Sequence, residues 1–259
     1  KDAGMNVTQG DSSVAVGESA LKAATTSSNN VAIGRSALTS NTAGETVAVG
    51  AFALGAQTTG FNNVACGFEA AENLTTGQRC VMLGYEAGRA TTTNHNVVAV
   101  GYQALRDNSD ANAASFRGAV AVGAEAGRSN TGQNGTYIGF KSGVSSGNAN
   151  GQVSIGWEVA HNNAGNHNVA IGSKALYTDS DDGSADPGGY NIGIGYLAGY
   201  GSNAGGRHNI ALGFQSMYAR TSAASVVAIG KDAGGSITSS SDCVLIGANA
   251  GKTGTNDLT

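Results

Sequence analysis

The sequence predicts an all-β parallel β-solenoid of about fourteen coils, each 16–17 residues long. Three observations point to it. First, the phrase Asn30-Val31-Ala32-Ile33-Gly34-Arg35-Ser36-Ala37-Leu38 returns as Asn168-Val169-Ala170-Ile171-Gly172-Ser173-Lys174-Ala175-Leu176. Second, relaxed copies fill the chain, with central glycines Gly17, Gly34, Gly50, Gly67, Gly84, Gly101, Gly123, Gly139, Gly156, Gly172, Gly195, Gly213, Gly230 and Gly247. Their spacings of 17, 16, 17, 17, 17, 22, 16, 17, 16, 23, 18, 17 and 17 residues mark stacked structural repeats. Third, the apolar residues of each copy recur two apart and are rich in β-branching, which suits a short strand and not a helix.

Each position follows from counting the glycine as zero. Position −3 is Val or Ile except at Thr136, and −1 is Val, Ile or Leu except at Cys66. Position −2 is mostly Ala, with Met82, Tyr137, Ser154, Gly193 and Leu245 as exceptions. The large side chains at −3 and −1 share one strand face and are expected inside the coil. The small residue at −2 is expected on the opposite face, against something packed close. The glycine permits a bend. Position +2 is largely polar, Ala at +3 should return to the interior, and +4 is Leu or Gly. The remaining Asn, Ser, Thr and Gly suit turns. The expectation is one repeat array over residues 1–259, with longer surface loops at 106–118 and 177–190. Lys1-Asp2-Ala3-Gly4 repeats Lys231-Asp232-Ala233-Gly234, so the chain reads as a segment of a longer array.

Composition narrows the function. Forty-one glycines without a three-residue period exclude collagen, and one proline argues against a disordered linker. A net charge of −4 leaves no electrostatic footprint for nucleic acid. No apolar run reaches the length of a membrane span, so membrane insertion is not expected. Three cysteines make no disulfide framework. Cys66 reads as a small core residue, and Cys80 and Cys243, nine copies apart at one repeat position, as unpaired thiols.

The S/N-V-A-I-G phrase with a following Ala resembles the head repeat of YadA-type trimeric autotransporter adhesins. The longer N-V-A-I-G-x-x-A-L form resembles the repeats of bacteriophage tail fibres more closely. The resemblance runs from Val14 to Gly251. It implies a left-handed parallel β-roll and a homotrimeric fibre on a virion tail or an extracellular cell surface. The implied task is structural, holding a tip that binds a host glycan or protein receptor.

Several residues bear on binding or chemistry. Asp179, Asp181, Asp182 and Asp186 beside Gly183 supply hard oxygens for calcium, or form a solvated acidic loop. No other cofactor is expected. Aromatics fill position +1 at Phe68, Tyr85, Tyr102, Phe140, Trp157, Tyr196 and Phe214, where they would stack on sugars or cover a seam between subunits. Glu69 and Glu86 share position +2 on adjacent coils at a separation suited to a retaining glycosidase pair, yet +2 varies freely and no cleft is indicated. His95, His167 and His208 read as turn residues on separate coils. No catalytic residue is assigned, and the chain is not expected to be an enzyme. The alternatives are a glycan-binding or ice-binding solenoid and a polysaccharide depolymerase acting at subunit grooves. Ice binding needs a regular Thr ladder, whereas Thr25-Thr26, Thr58-Thr59, Thr75-Thr76 and Thr91-Thr92-Thr93 read as irregular turns.

Overall fold

The computed structural model describes residues 2–5, 12–108, 118–144, 149–162, 165–177, 189–201, 206–219, 223–237 and 241–251. The chain divides into two compact units, Lys1–Asn134 and Gly135–Thr259. The first holds β1 (Val14–Val16), β2 (Val31–Ile33), β3 (Val47–Val49), β4 (Val64–Cys66), β5 (Val81–Leu83), β6 (Val98–Val100) and β7 (Val120–Val122). The second holds β8 (Thr136–Ile138), β9 (Val153–Ile155), β10 (Val169–Ile171), β11 (Ile192–Ile194), β12 (Ile210–Leu212), β13 (Val227–Ile229) and β14 (Val244–Ile246). The described residues contain no helix, hence none long and apolar enough to cross a membrane. Much of the expected loops, 109–117 and 178–188, lies outside the described residues.

Within each unit every strand pairs in parallel with the next, and equivalent residues face one another: Val31 with Val47, Ala32 with Ala48, Ile33 with Val49. The same register holds from Val169 and Ile192 to Val227 and Val244. The pairing continues past the strand. Gly34 donates to Val16, Ser36 to Glu18, Leu21 to Ala37 and Ala23 to Thr39, at 2.7 to 2.9 Å. Each coil therefore satisfies its backbone along the stacking direction almost all the way round, which is what lets so short a coil persist. The fold is the parallel β-solenoid that the repeat predicts.

Non-glycine residues enter the left-handed region at three repeat positions: +2 (Ser36, Glu69, Glu86), +4 (Leu38, Leu54, Leu105) and −5 (Asn29, Asn62, His208). Their φ values of 49° to 60° cost roughly 1 kcal/mol each in isolation, and the coil-to-coil hydrogen bonds offset this. The central glycines are different. All fourteen lie at φ between 119° and 142°, a region for residues without a Cβ.

The strand faces are the reverse of the expectation. In β2 through β13 the middle residue is buried and both flanking residues are partly or fully exposed. Ala32, Ala48 and Ala65 are fully buried, whereas Ile33, Val64 and Val122 are each nearly two-fifths exposed. Cys66, expected in the core, is exposed with the rest of the −1 column. The reason is cross-section. Ala at +3 and Leu at +4 also point inward and are buried, as Ala37, Leu38, Ala53 and Leu54 illustrate. A coil of this length has no room for two β-branched side chains as well.

Interior volume is balanced locally. Where −2 is large, +4 of the same coil is glycine: Met82 with Gly88, Tyr137 with Gly143, Leu245 with Gly251. A Cβ at Gly88 would sit 2.5 Å from the Met82 sulfur, and one at Gly143 would collide with the Tyr137 ring. Gly193 and Gly199 make room for Leu176 of the preceding coil.

Tyr137 is fully buried and its hydroxyl has no hydrogen-bond partner. Burial pushes the phenol above its ordinary value. Tyr137→Phe should therefore stabilise the chain by about 1–2 kcal/mol, read as a higher urea midpoint. The sign with pH follows. A raised folded-state pKa gives stability that is full below the ordinary tyrosine value of about 10 and falls as pH rises above it. The Phe variant should lose this component of the alkaline decline.

A buried ladder at −4 runs beside the alanines. Each Asn side-chain oxygen accepts from the −4 backbone N–H of the next coil: Asn63 from Cys80 at 2.9 Å, Asn168 from Asn191 at 2.7 Å, Asn191 from Asn209 at 3.0 Å, Asn209 from Val226 at 3.0 Å. The amide nitrogen donates to a carbonyl three residues earlier in that next coil, Gly77, Gly206 and Ala223 for Asn63, Asn191 and Asn209. Cys80 takes the same place, its thiol 3.3 Å from the Asn94 carbonyl, and burial pushes the thiol pKa up. All three cysteines are free.

The threonines are also more regular than expected. Thr42, Thr58 and Thr75 stand one above another, each hydroxyl donating to the carbonyl of the next, Thr58, Thr75 and Thr92, at 2.9, 3.3 and 3.0 Å. Their donors are spent along the column.

Candidate glycan-binding face

The +1 aromatics are exposed, as their variability predicts. The chain leaves the strand at the glycine, so +1 points outward, and identical register brings rings on consecutive coils together. Phe68 stacks on Tyr85 and Tyr85 on Tyr102, with centroids 5.5 and 5.4 Å apart and planes 13° apart. Tyr196 stacks on Phe214 at 5.3 Å. Lys141 lies 5.2 Å over the Phe140 ring, and Lys174 4.9 Å over Trp157. Rings stacked this way present edges to solvent and faces to each other.

Two further columns escaped the sequence analysis. At +5, His161, Tyr177, Tyr200 and Tyr218 stack at 5.2 to 5.4 Å. At −5, Tyr190 stands between His167 and His208, at 5.2 and 5.4 Å. The sign was available, because each ring lies five residues from its glycine. It was hidden because half of the column members are histidines and the coil lengths vary.

In the first unit, +2 and +5 carry charge. The Arg89 guanidinium meets Glu69 at 2.8 Å and Glu72 at 3.0 Å, and Arg106 meets Glu86 at 2.6 Å. Gln103 donates to Glu86 at 2.8 Å. Arg128 joins Asp107 and Glu125, both at 3.1 Å. The hydrogen bond to Glu72 raises the Arg89 pKa, and the Glu86 charge does the same to the Tyr85 phenol. Glu69 and Glu86 are thus held by arginines, one coil apart, in a ladder of ion pairs.

The four aspartates considered for calcium, Asp179, Asp181, Asp182 and Asp186, lie outside the described residues. Among the described residues no group of three His, Cys, Asp or Glu side chains is placed to hold a metal. Comparison with family models, curated proteins and solved structures finds no match. Function therefore has to be argued from the surface of this chain.

That surface offers two kinds of chemistry. The −3 and −1 columns are apolar and unpartnered. The +1, +2 and +5 columns combine aromatic edges with charge, and Lys174 ties them together by lying 4.9 Å from Trp157, 5.5 Å from the Tyr177 ring and 3.5 Å from Glu158.

Proposed function

We propose that the chain is a structural fibre segment in which three copies pack through their outer strand faces. It would serve as the shaft of a phage tail fibre or bacterial surface adhesin, holding a receptor-binding tip at a distance. The observation that carries this reading is the outward Val/Ile face. Ranks of β-branched side chains repeated coil after coil form a continuous apolar surface of the kind that marks an association site. The number three, the left-handed β-roll and the location come from the repeat's resemblance to adhesin heads and tail fibres.

Sedimentation equilibrium tests it. The expected mass is three times that of the chain. Replacing Val81 and Leu83 by Lys and Val98 and Val100 by Glu keeps the buried Met82 and Ala99, and puts opposite charges on neighbouring coils. This variant should keep its β circular dichroism and dissociate toward single chains. A wild-type chain that stays monomeric at high concentration rejects the proposal.

A further inference from the structure

We infer that the break in the +1 aromatic column at Ser173 is a saccharide-binding slot, with Trp157 and Tyr196 as its walls. This goes beyond the shaft reading and stands without it. The column rule explains why the site is here. Where aromatics occupy consecutive coils they stack on each other, as Tyr196 does on Phe214 at 5.3 Å, and their faces are closed to a ligand. Ser173 interrupts that pattern between two rings of the same column. The backbone fixes the alignment: Lys174 donates to the Trp157 carbonyl and Leu197 to that of Ser173, each at 3.0 Å. Tyr196, with Phe214 on one side, has its other face toward Ser173.

Size and chemistry then select the ligand. Two coils at ~4.8 Å set the walls roughly 10 Å apart. Carbon contacts of about 4 Å on either side fit one saturated ring in that gap and exclude two. Trp157 is 46 % exposed and Tyr196 48 %, so the slot opens to solvent. The Lys174 ammonium, over the Trp157 ring, supplies donors, and the Glu158 carboxylate 3.5 Å from it supplies acceptors. Ser173 adds a hydroxyl between the walls. Apolar walls with a balanced donor and acceptor suit a neutral pyranose, which has C–H faces and a rim of hydroxyls. An anionic sugar would meet the Glu158 charge.

Trp157 is the one tryptophan of the chain, so its fluorescence reports this site directly. The experiment titrates the full chain with methyl glucoside, methyl galactoside, maltotriose and chitotriose. At least one should give a saturable change in emission. Tyr196→Ala should weaken that response by about tenfold or more. Ser173→Tyr, which continues the ring column and fills the slot, should abolish it without lowering the urea midpoint. A flat response across the panel overturns the inference, as does a Ser173→Tyr chain that responds like wild type. Wild-type Trp157 shielded from acrylamide in the assembled protein would place the slot in a seam, and would overturn it equally.

Discussion

Gly213→Ala should lower stability by about 3 kcal/mol or more. Gly213 lies at φ +133, where an L side chain is strained, and a Cβ there would stand 2.7 Å from the Gly230 carbonyl oxygen of the next coil. That oxygen belongs to backbone locked in the coil-to-coil ladder, so it has nowhere to go. Gly234→Ala, in the adjoining coil, is the control. Its φ of +62 is the ordinary left-handed value, and its nearest side-chain atoms would lie 3.4 Å away. Ala71 and Ala160 already occupy the same repeat position at φ 50 and 46. The control should change stability by about 1 kcal/mol or less. Urea unfolding of the two variants should separate them clearly. Equal midpoints would mean that the close approach of the coils is not what the central glycine serves.

Asn191→Leu should cost roughly 3–5 kcal/mol, although leucine is apolar, similar in size and fully buried elsewhere in the chain. The side chain of Asn191 accepts from the Asn209 N–H at 3.0 Å and from the Asn209 amide at 3.1 Å, and it donates to Gly206 at 2.9 Å. Leucine would leave those groups buried without partners. The loss should be local as well as global. Amide hydrogen exchange should accelerate at Asn209 and across β11 and β12 well before it changes in β13 and β14. Asn73→Leu, at an exposed site, should fall within about 0.5 kcal/mol of wild type. A small effect at Asn191 would show that the strand bonds alone hold the coils in register.

How much of this was legible in the sequence depends on which physical rule wrote it. The period, the strands and the parallel stacking follow from the spacing of Gly17 through Gly247, because a circuit of fixed length must return each phrase to the same place. The facing of the strand did not follow. Val31-Ala32-Ile33 reads as a core pair around a small spacer only if the largest apolar side chains go inside. In a coil already filled by Ala37 and Leu38 that preference loses to volume, and Ala32 goes in instead. The exceptions held the clue, since Met82, Tyr137 and Leu245 each come with a glycine six residues later. Such an exchange makes sense only if −2 and +4 share one interior. The recurring Asn before the strand was visible too. Its role needs the third dimension, because its partners are 14 to 23 residues away. The aromatic stack of Phe68, Tyr85 and Tyr102 was read correctly as a column. That stacking closes the ring faces, and so shifts interest to the gap at Ser173, came only from the geometry.

The self-contained exchange between −2 and +4 bears on how such a protein can evolve. Met82 and Gly88 lie in one coil, as do Leu245 and Gly251, so each carries its own complement when the encoding stretch is duplicated or lost. Unequal recombination can then change the copy number in a single genetic event, with no second mutation needed to restore packing. Leu176 and Gly193 are the exception, for they divide one fit between successive coils and must be inherited together.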